Sequence, residues 1–324
     1  MAEEGRSEPG MWQTLVPVLD AVILLTGVVG HSLVVVTLTG RGRRAGAVRG
    51  PPQGTDTLLL ALSGADLLLL ACLPFHTAAI ALGRWPFGHF LCKAISFLGV
   101  ACSSASVFTL SALAVTRYLV VVHPAWAYRA RLLRRPWLVP AGLWLPAVAL
   151  GAPQFIFRTV GSSTQLSCFA FLSGVSQLIY STALFLLGFA LPLLVIVLMY
   201  AKIYLFLRRA RASAHAPRLQ RYQSRVTHTS ALLVLVFTLC WLPSYALMLS
   251  LVGRTLADAP SYGTFAIFAR LLASSATVAN PVLYVFMSRK FRKDLLALGR
   301  GRCCGRADTV RPLDPAQAGE VPQS

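Results

Sequence analysis

The sequence predicts an all-α membrane protein: a seven-transmembrane helix bundle followed by a short amphipathic helix on the membrane surface. Of the 324 residues, 56% are hydrophobic and only 13% are charged, a balance more apolar than a soluble domain of this length shows. Seven apolar runs are each long enough to cross a hydrocarbon core roughly 30 Å thick at 1.5 Å of helical rise per residue. Most of the basic residues fall in the gaps between those runs.

The spans cover residues 15–39, 56–82, 91–122, 137–157, 176–207, 227–252 and 262–287. Lysine and arginine tend to stay on the cytoplasmic side, so their distribution sets the orientation. Four of them lie from Arg41 to Arg49, five from Arg117 to Arg135, seven from Lys202 to Arg225 and eight from Arg289 onward, 24 of the 30 in all. Arg6, Arg84, Lys93, Arg158, Arg254 and Arg270 lie on or near the other side. The chain therefore divides into a short extracellular N-terminus (1–14), the transmembrane domain (15–287), the amphipathic helix (288–299) and a cytoplasmic tail (300–324). The opening MAEEGRSEP carries acid where a secretory signal has a basic start, so the first span is expected to be a retained anchor.

Several function classes are excluded. A net charge of +19 suits a nucleic-acid binder only if the cations form one solvated face, and here they are split among gaps. No nucleophile and base, phosphate-binding glycine loop or paired carboxylates stand in a context that would make an enzyme. Seven cysteines, without a CxxC pair or a His/Cys cluster, support neither a disulfide scaffold nor a transition-metal site. A transporter or channel would show internal repeats or several midplane charges, and neither is visible. Asn280 is the only asparagine, so there is no N-glycosylation sequon.

Asp66 lies deep in span two, where a carboxylate costs on the order of 3 kcal/mol to insert. Ser106 in span three and Asn280 in span seven are the groups expected around it. Two states fit: a hydrated Na⁺ held with their oxygens, or a protonated carboxyl hydrogen-bonded between helices. After span seven, Phe291, Leu295 and Leu298 recur at i, i+4 and i+7 among basic residues, the pattern of a helix lying on membrane lipid. Cys303 and Cys304 follow directly, as candidate palmitoylation sites or as reduced cytosolic thiols. Cys72, Cys102 and Cys240 lie inside spans and read as small buried hydrophobes.

The ordered set LSGAD in span two, TRYLVVVHP ending span three, Trp144 in span four, Pro192 and Tyr200 in span five, FTLCWLP in span six and NPVLY in span seven resembles the signature of rhodopsin-like (class A) G protein-coupled receptors. FTLCWLPSYALML and ANPVLYVFMSRKFRK are most similar to galanin and kisspeptin type neuropeptide receptors. The resemblance implies a plasma-membrane receptor that takes an extracellular peptide and activates a heterotrimeric G protein, Gi/o favoured, with arrestin as a further partner. The alternative is a divergent receptor that does not signal and acts as a scavenger or modulatory partner. It also implies that Pro243 and Pro281 kink their helices, that Trp241 and Phe237 repack on ligand binding, and that Tyr200, Tyr284 and Asn280 join the activation switch with Arg117, which faces the G protein. Cys92 and Cys168 are expected to form a disulfide that pins the second outer loop over the bundle.

For the ligand, Gly99 stands where amine receptors of this family have an aspartate, which disfavours a small biogenic amine. His76, Ser103, Gln154, Tyr245, Met248, Phe268 and Arg270 are expected to complete the site with Gly99. Galanin receptors carry histidines near the positions of Ser244 and Tyr245, and this chain does not. Asp20 and Arg270 are expected to pair, either as a structural bridge or as a receptor for an acidic ligand group. Two further departures stand out. Thr116 replaces the acid that usually precedes Arg117, which predicts high basal signalling, and His31 replaces an asparagine near Asp66, which bears on Na⁺ binding.

Overall fold

A backbone dissolved in hydrocarbon must pair its own polar groups, which leaves the helix as the natural form for these apolar runs. The computed structural model describes residues 11–45, 54–125, 137–161, 168–170, 174–211, 217–252, 262–287, 291–293 and 295–296. Helices α1 (Met11–Ala45), α2 (Gly54–Leu82), α3 (Gly88–Val122) and α4 (Leu138–Phe157) are followed by two short strands. The strands β1 (Arg158–Val160) and β2 (Cys168–Ala170) pair antiparallel, with Val160 opposite Cys168. The fifth span, α5, runs through Gly174–Phe185, a π-helical Leu186–Ala190 and Leu191–Arg211. Then come α6 (Pro217–Val252) and α7 (Tyr262–Met287).

Six of these helices are long and apolar enough to cross a membrane, and α6 contributes a shorter apolar stretch, Val234–Ser250. Helix α6 begins ten residues before the predicted span because its basic, polar start continues the same helix beyond the apolar part. The π-helical turn in α5 precedes Pro192, which has no N–H to donate to Gly188. The Leu191 N–H reaches back to the Leu186 carbonyl, an i→i+5 bond that widens the helix by one residue ahead of the proline.

Helix α3 is the axis of the bundle and packs on α2, α4, α5 and α6. Helix α7 closes the ring against α1, α2 and α6. Large apolar side chains such as Leu25, Leu145 and Ile156 point outward, as a surface bathed in lipid requires. The polar residues Asp20, His31, Asp66, Ser106 and Asn280 are buried. Helix α1 approaches α7 closely at Gly30, where a Cβ would lie 2.8 Å from Cβ and Cγ of Pro281. The segment after α7 is helical at 291–293 and 295–296, and Phe291 and Leu295 pack against Val34, Leu38 and Leu59.

Candidate functional site

Among the described residues, two polar or open regions interrupt the apolar packing, and they adjoin. The first surrounds Asp66, which is 2% exposed. The Ser106 hydroxyl donates to one carboxylate oxygen at 2.8 Å, and the Asn280 amide donates to the other. Helices α2, α3 and α7 are thereby tied at one point. His31 Nε2 lies 2.8 Å from the Thr277 carbonyl and 3.5 Å from the same Asp66 oxygen that Asn280 meets. A proton on Nε2 satisfies the carbonyl and leaves Nδ1 without a partner, so this geometry fits the neutral Nε2–H imidazole. The imidazole then supplies no cation to Asp66.

The second region is a cavity of about 380 Å³ between α2, α3, α5, α6 and α7, lined mainly by apolar groups such as Leu69, Leu73, Val100, Leu184 and Met248. Thr277 lines it as well, so the residue that holds His31 also faces the cavity. Trp241 and Tyr245 form part of the wall. From there an aromatic series runs through the bundle: Tyr245 stacks on Phe189 with centroids 4.6 Å apart, Trp241 lies 6.2 Å from Tyr245, and Phe237 lies 5.9 Å from Trp241. Pro243 sits inside α6 along this series, and the Pro281 of α7 is fully buried. Arg270 projects into the cavity and donates from Nη2 to Asp20 at 2.7 Å, while the same Asp20 oxygen accepts the Thr77 hydroxyl.

One end of the bundle carries the Cys92–Cys168 disulfide, which joins α3 to β2. Arg158, at the start of β1, donates from Nε to Ser96 at 2.9 Å, and burial lowers its pKa from the usual guanidinium value. The other end carries Arg117. There the Thr116 hydroxyl turns back to the Ala112 carbonyl at 2.8 Å, and no described carboxylate bridges to Arg117. Beside it, Tyr118 meets His123 through its hydroxyl at 3.2 Å, and Lys202 lies over its ring at 5.7 Å.

The comparisons with known proteins agree with this arrangement. The family model for the 7 transmembrane receptor (rhodopsin family) matches residues 33–284. The somatostatin receptor type 5 of Rattus norvegicus is 31% identical over 95% of this chain and 85% of its own length. The galanin receptor type 1 of the same species is 30% identical over 90% and 83%, and the human galanin receptor type 3 is 32% identical over 94% and 84%. The chain belongs to the rhodopsin family of seven-transmembrane receptors. It is thus a multi-pass membrane receptor and not an enzyme. Galanin receptors, to which the motifs pointed, stand among the relatives beside somatostatin receptors, which the motifs did not single out.

Within this receptor, His76, Gly99, Ser103, Tyr245, Met248 and Arg270 all line the cavity. Gln154 and Phe268 do not. The Gln154 amide donates to the Tyr180 hydroxyl at 3.1 Å, which itself donates to the Leu150 carbonyl and joins α4 to α5. Phe268 is half exposed on the outside of α7. Reading the sequence missed Thr77, Ser274 and Thr277. Their hydroxyls gave no signal of their own, although Ala266, Ala269 and Ala273, spaced at i, i+3 and i+7, mark the inward face of α7. Tyr200 packs with Val121, Ile203 and Leu207 near the Arg117 end. The side chain of Tyr284 and all of Leu298, Cys303 and Cys304 lie outside the described residues.

Proposed function

We propose that this chain is a plasma-membrane peptide receptor, N-terminus outside and C-terminus inside, that activates a heterotrimeric G protein, Gi/o favoured, when an extracellular peptide fills the cavity. One observation carries the reading: the cavity wall at Trp241 and Tyr245 is continuous, ring against ring, with Phe237 and the buried helix core. A ligand that shifts Trp241 repacks α6 about Pro243 and moves the bundle end where Arg117 stands. The peptide class is supported by the somatostatin and galanin receptors among the relatives and by Gly99, which offers no carboxylate to an amine. Arrestin is a second occupant of the Arg117 end, and Cys303 and Cys304 are candidate lipid anchors after the surface helix.

Asp66, Ser106 and Asn280 also suit a Na⁺ ion. Ionised, the carboxylate is a buried charge without a cationic partner, and Ser106, which donates its proton to Asp66, keeps its lone pairs for a metal. These residues would hold the ion, which would supply the missing positive charge. The second reading, a receptor that does not signal, draws support from the Thr116 hydroxyl, which spends itself on its own helix and leaves Arg117 without the usual neighbouring acid. Nucleotide exchange on purified Gi, with neuropeptides screened in parallel for cyclic AMP inhibition and calcium release, separates the two. Exchange driven by the receptor, basal or peptide-evoked, supports the first reading; a folded, surface-expressed receptor with neither supports the second.

A further inference from the structure

We infer that the cavity is an anion site, built for a carboxylate on an apolar body, which Arg270 receives through Nη1 while Nη2 holds Asp20. The inference rests on reading the cavity as the ligand site and names the chemistry that the site selects. Three of the lining hydroxyls are turned to backbone carbonyls. Ser103 donates to the Gly99 carbonyl at 2.7 Å, Ser244 to the Ala269 carbonyl at 3.1 Å and Thr277 to the Ser274 carbonyl at 2.8 Å. His76, the guanidinium of Arg270 and the hydroxyls of Tyr245 and Ser274 are left to meet a ligand's polar end, and of these only the guanidinium carries a fixed positive charge.

Nε and Nη1 of Arg270 are buried without a hydrogen-bond partner. A guanidinium is a planar fork of five N–H donors, and because Cδ separates Nε from Nη1 these two act as separate donors on different sides of the fork. Leaving two of those nitrogens unmet in apolar surroundings is costly, and a carboxylate that accepts from Nη1 removes part of the cost. The surrounding charge points the same way. His76 is within electrostatic range of Arg158 as well as Arg270, and among the described residues at the disulfide end Arg84, Lys93, Arg158 and Arg270 stand against Asp20 alone. At about 380 Å³ the cavity lies near the small end of ligand sites, the size of one peptide terminus or one small lipophilic acid.

The test uses the purified full chain in detergent micelles, with affinity taken from the shift in thermal unfolding midpoint. The probes are N-acetyl-phenylalanine against its uncharged amide, and decanoate against decanol. We expect the acid of at least one pair to bind about tenfold tighter than its neutral partner, or more, and R270Q to erase that preference. D20N keeps the guanidinium and removes its internal competitor, so it tightens acid binding severalfold. A purely structural bridge instead makes D20N and R270Q equally damaging, and that result, or equal affinity for acid and neutral probes, overturns the inference. If R270Q fails to fold, the sign of the D20N effect still decides. Preference for N-acetyl-phenylalanine assigns the site to a peptide C-terminus, and preference for decanoate assigns it to a lipid-like acid. Nucleotide exchange on Gi is measured on the same preparation. Peptide-driven exchange without any acid preference overturns the anion site and leaves the receptor reading intact; acid preference without any exchange does the reverse.

Discussion

Arg117 and His31 are the residues at which the proposed resting state can be tested. An arginine held by a neighbouring carboxylate gains a charge-assisted bond of roughly 1 to 3 kcal/mol, and Thr116, bonded to its own helix, provides none. Thr116→Asp should therefore lower basal nucleotide exchange about fivefold or more, measured without ligand at matched expression. An unchanged, high basal rate would refute the restraint argument. His31 blocks one approach to Asp66 while its Nε2–H serves Thr277. His31→Asn opens that approach, so replacing choline chloride by NaCl should weaken agonist affinity more in the variant than in the parent. If both respond alike, His31 does not control ion access. Both substitutions were legible as departures from motif patterns. The His31 to Thr277 bond was not, because a backbone carbonyl carries no residue identity for a sequence to display.

Helices constrain one another through their small residues and their kinks. Gly30→Ala would set a methyl group 2.8 Å from the Pro281 ring and force α1 from α7, at a cost of about 1–3 kcal/mol. A lowered unfolding midpoint in micelles would confirm the contact, and an unchanged midpoint would show that the helices have slack there. The seven spans were readable because apolar length is a property of sequence alone. Rotation of each helix about its axis was harder to read. Phe268 is adjacent to Ala269, yet a step of roughly 100° per residue turns it outward while Ala269 faces the cavity. Gln154 was placed at a suitable depth, but the Tyr180 hydroxyl on the neighbouring helix claims it. The small-residue stripe on α7 held the rotational information that the larger side chains obscured.

At the scale of the whole receptor, the lopsided basic residues predict a sidedness that can be checked directly. A tag at the N-terminus should bind antibody on intact cells, and a tag at the C-terminus only after permeabilisation; the opposite pattern would invert every assignment of ligand and G protein face. The motif order foretold the family, and the pairing of Asp20 with Arg270 followed from two buried charges at matching depth. The third member, Thr77, was hidden because a threonine in an apolar span looks like packing. Its presence adds a helix to the pair. One carboxylate clasps α1, α2 and α7 together. On the proposed receptor reading, that clasp would make these three helices a stator, against which α6, hinged at Pro243, would turn as the rotor, directing the energy of binding into a single swing instead of spreading it through the barrel.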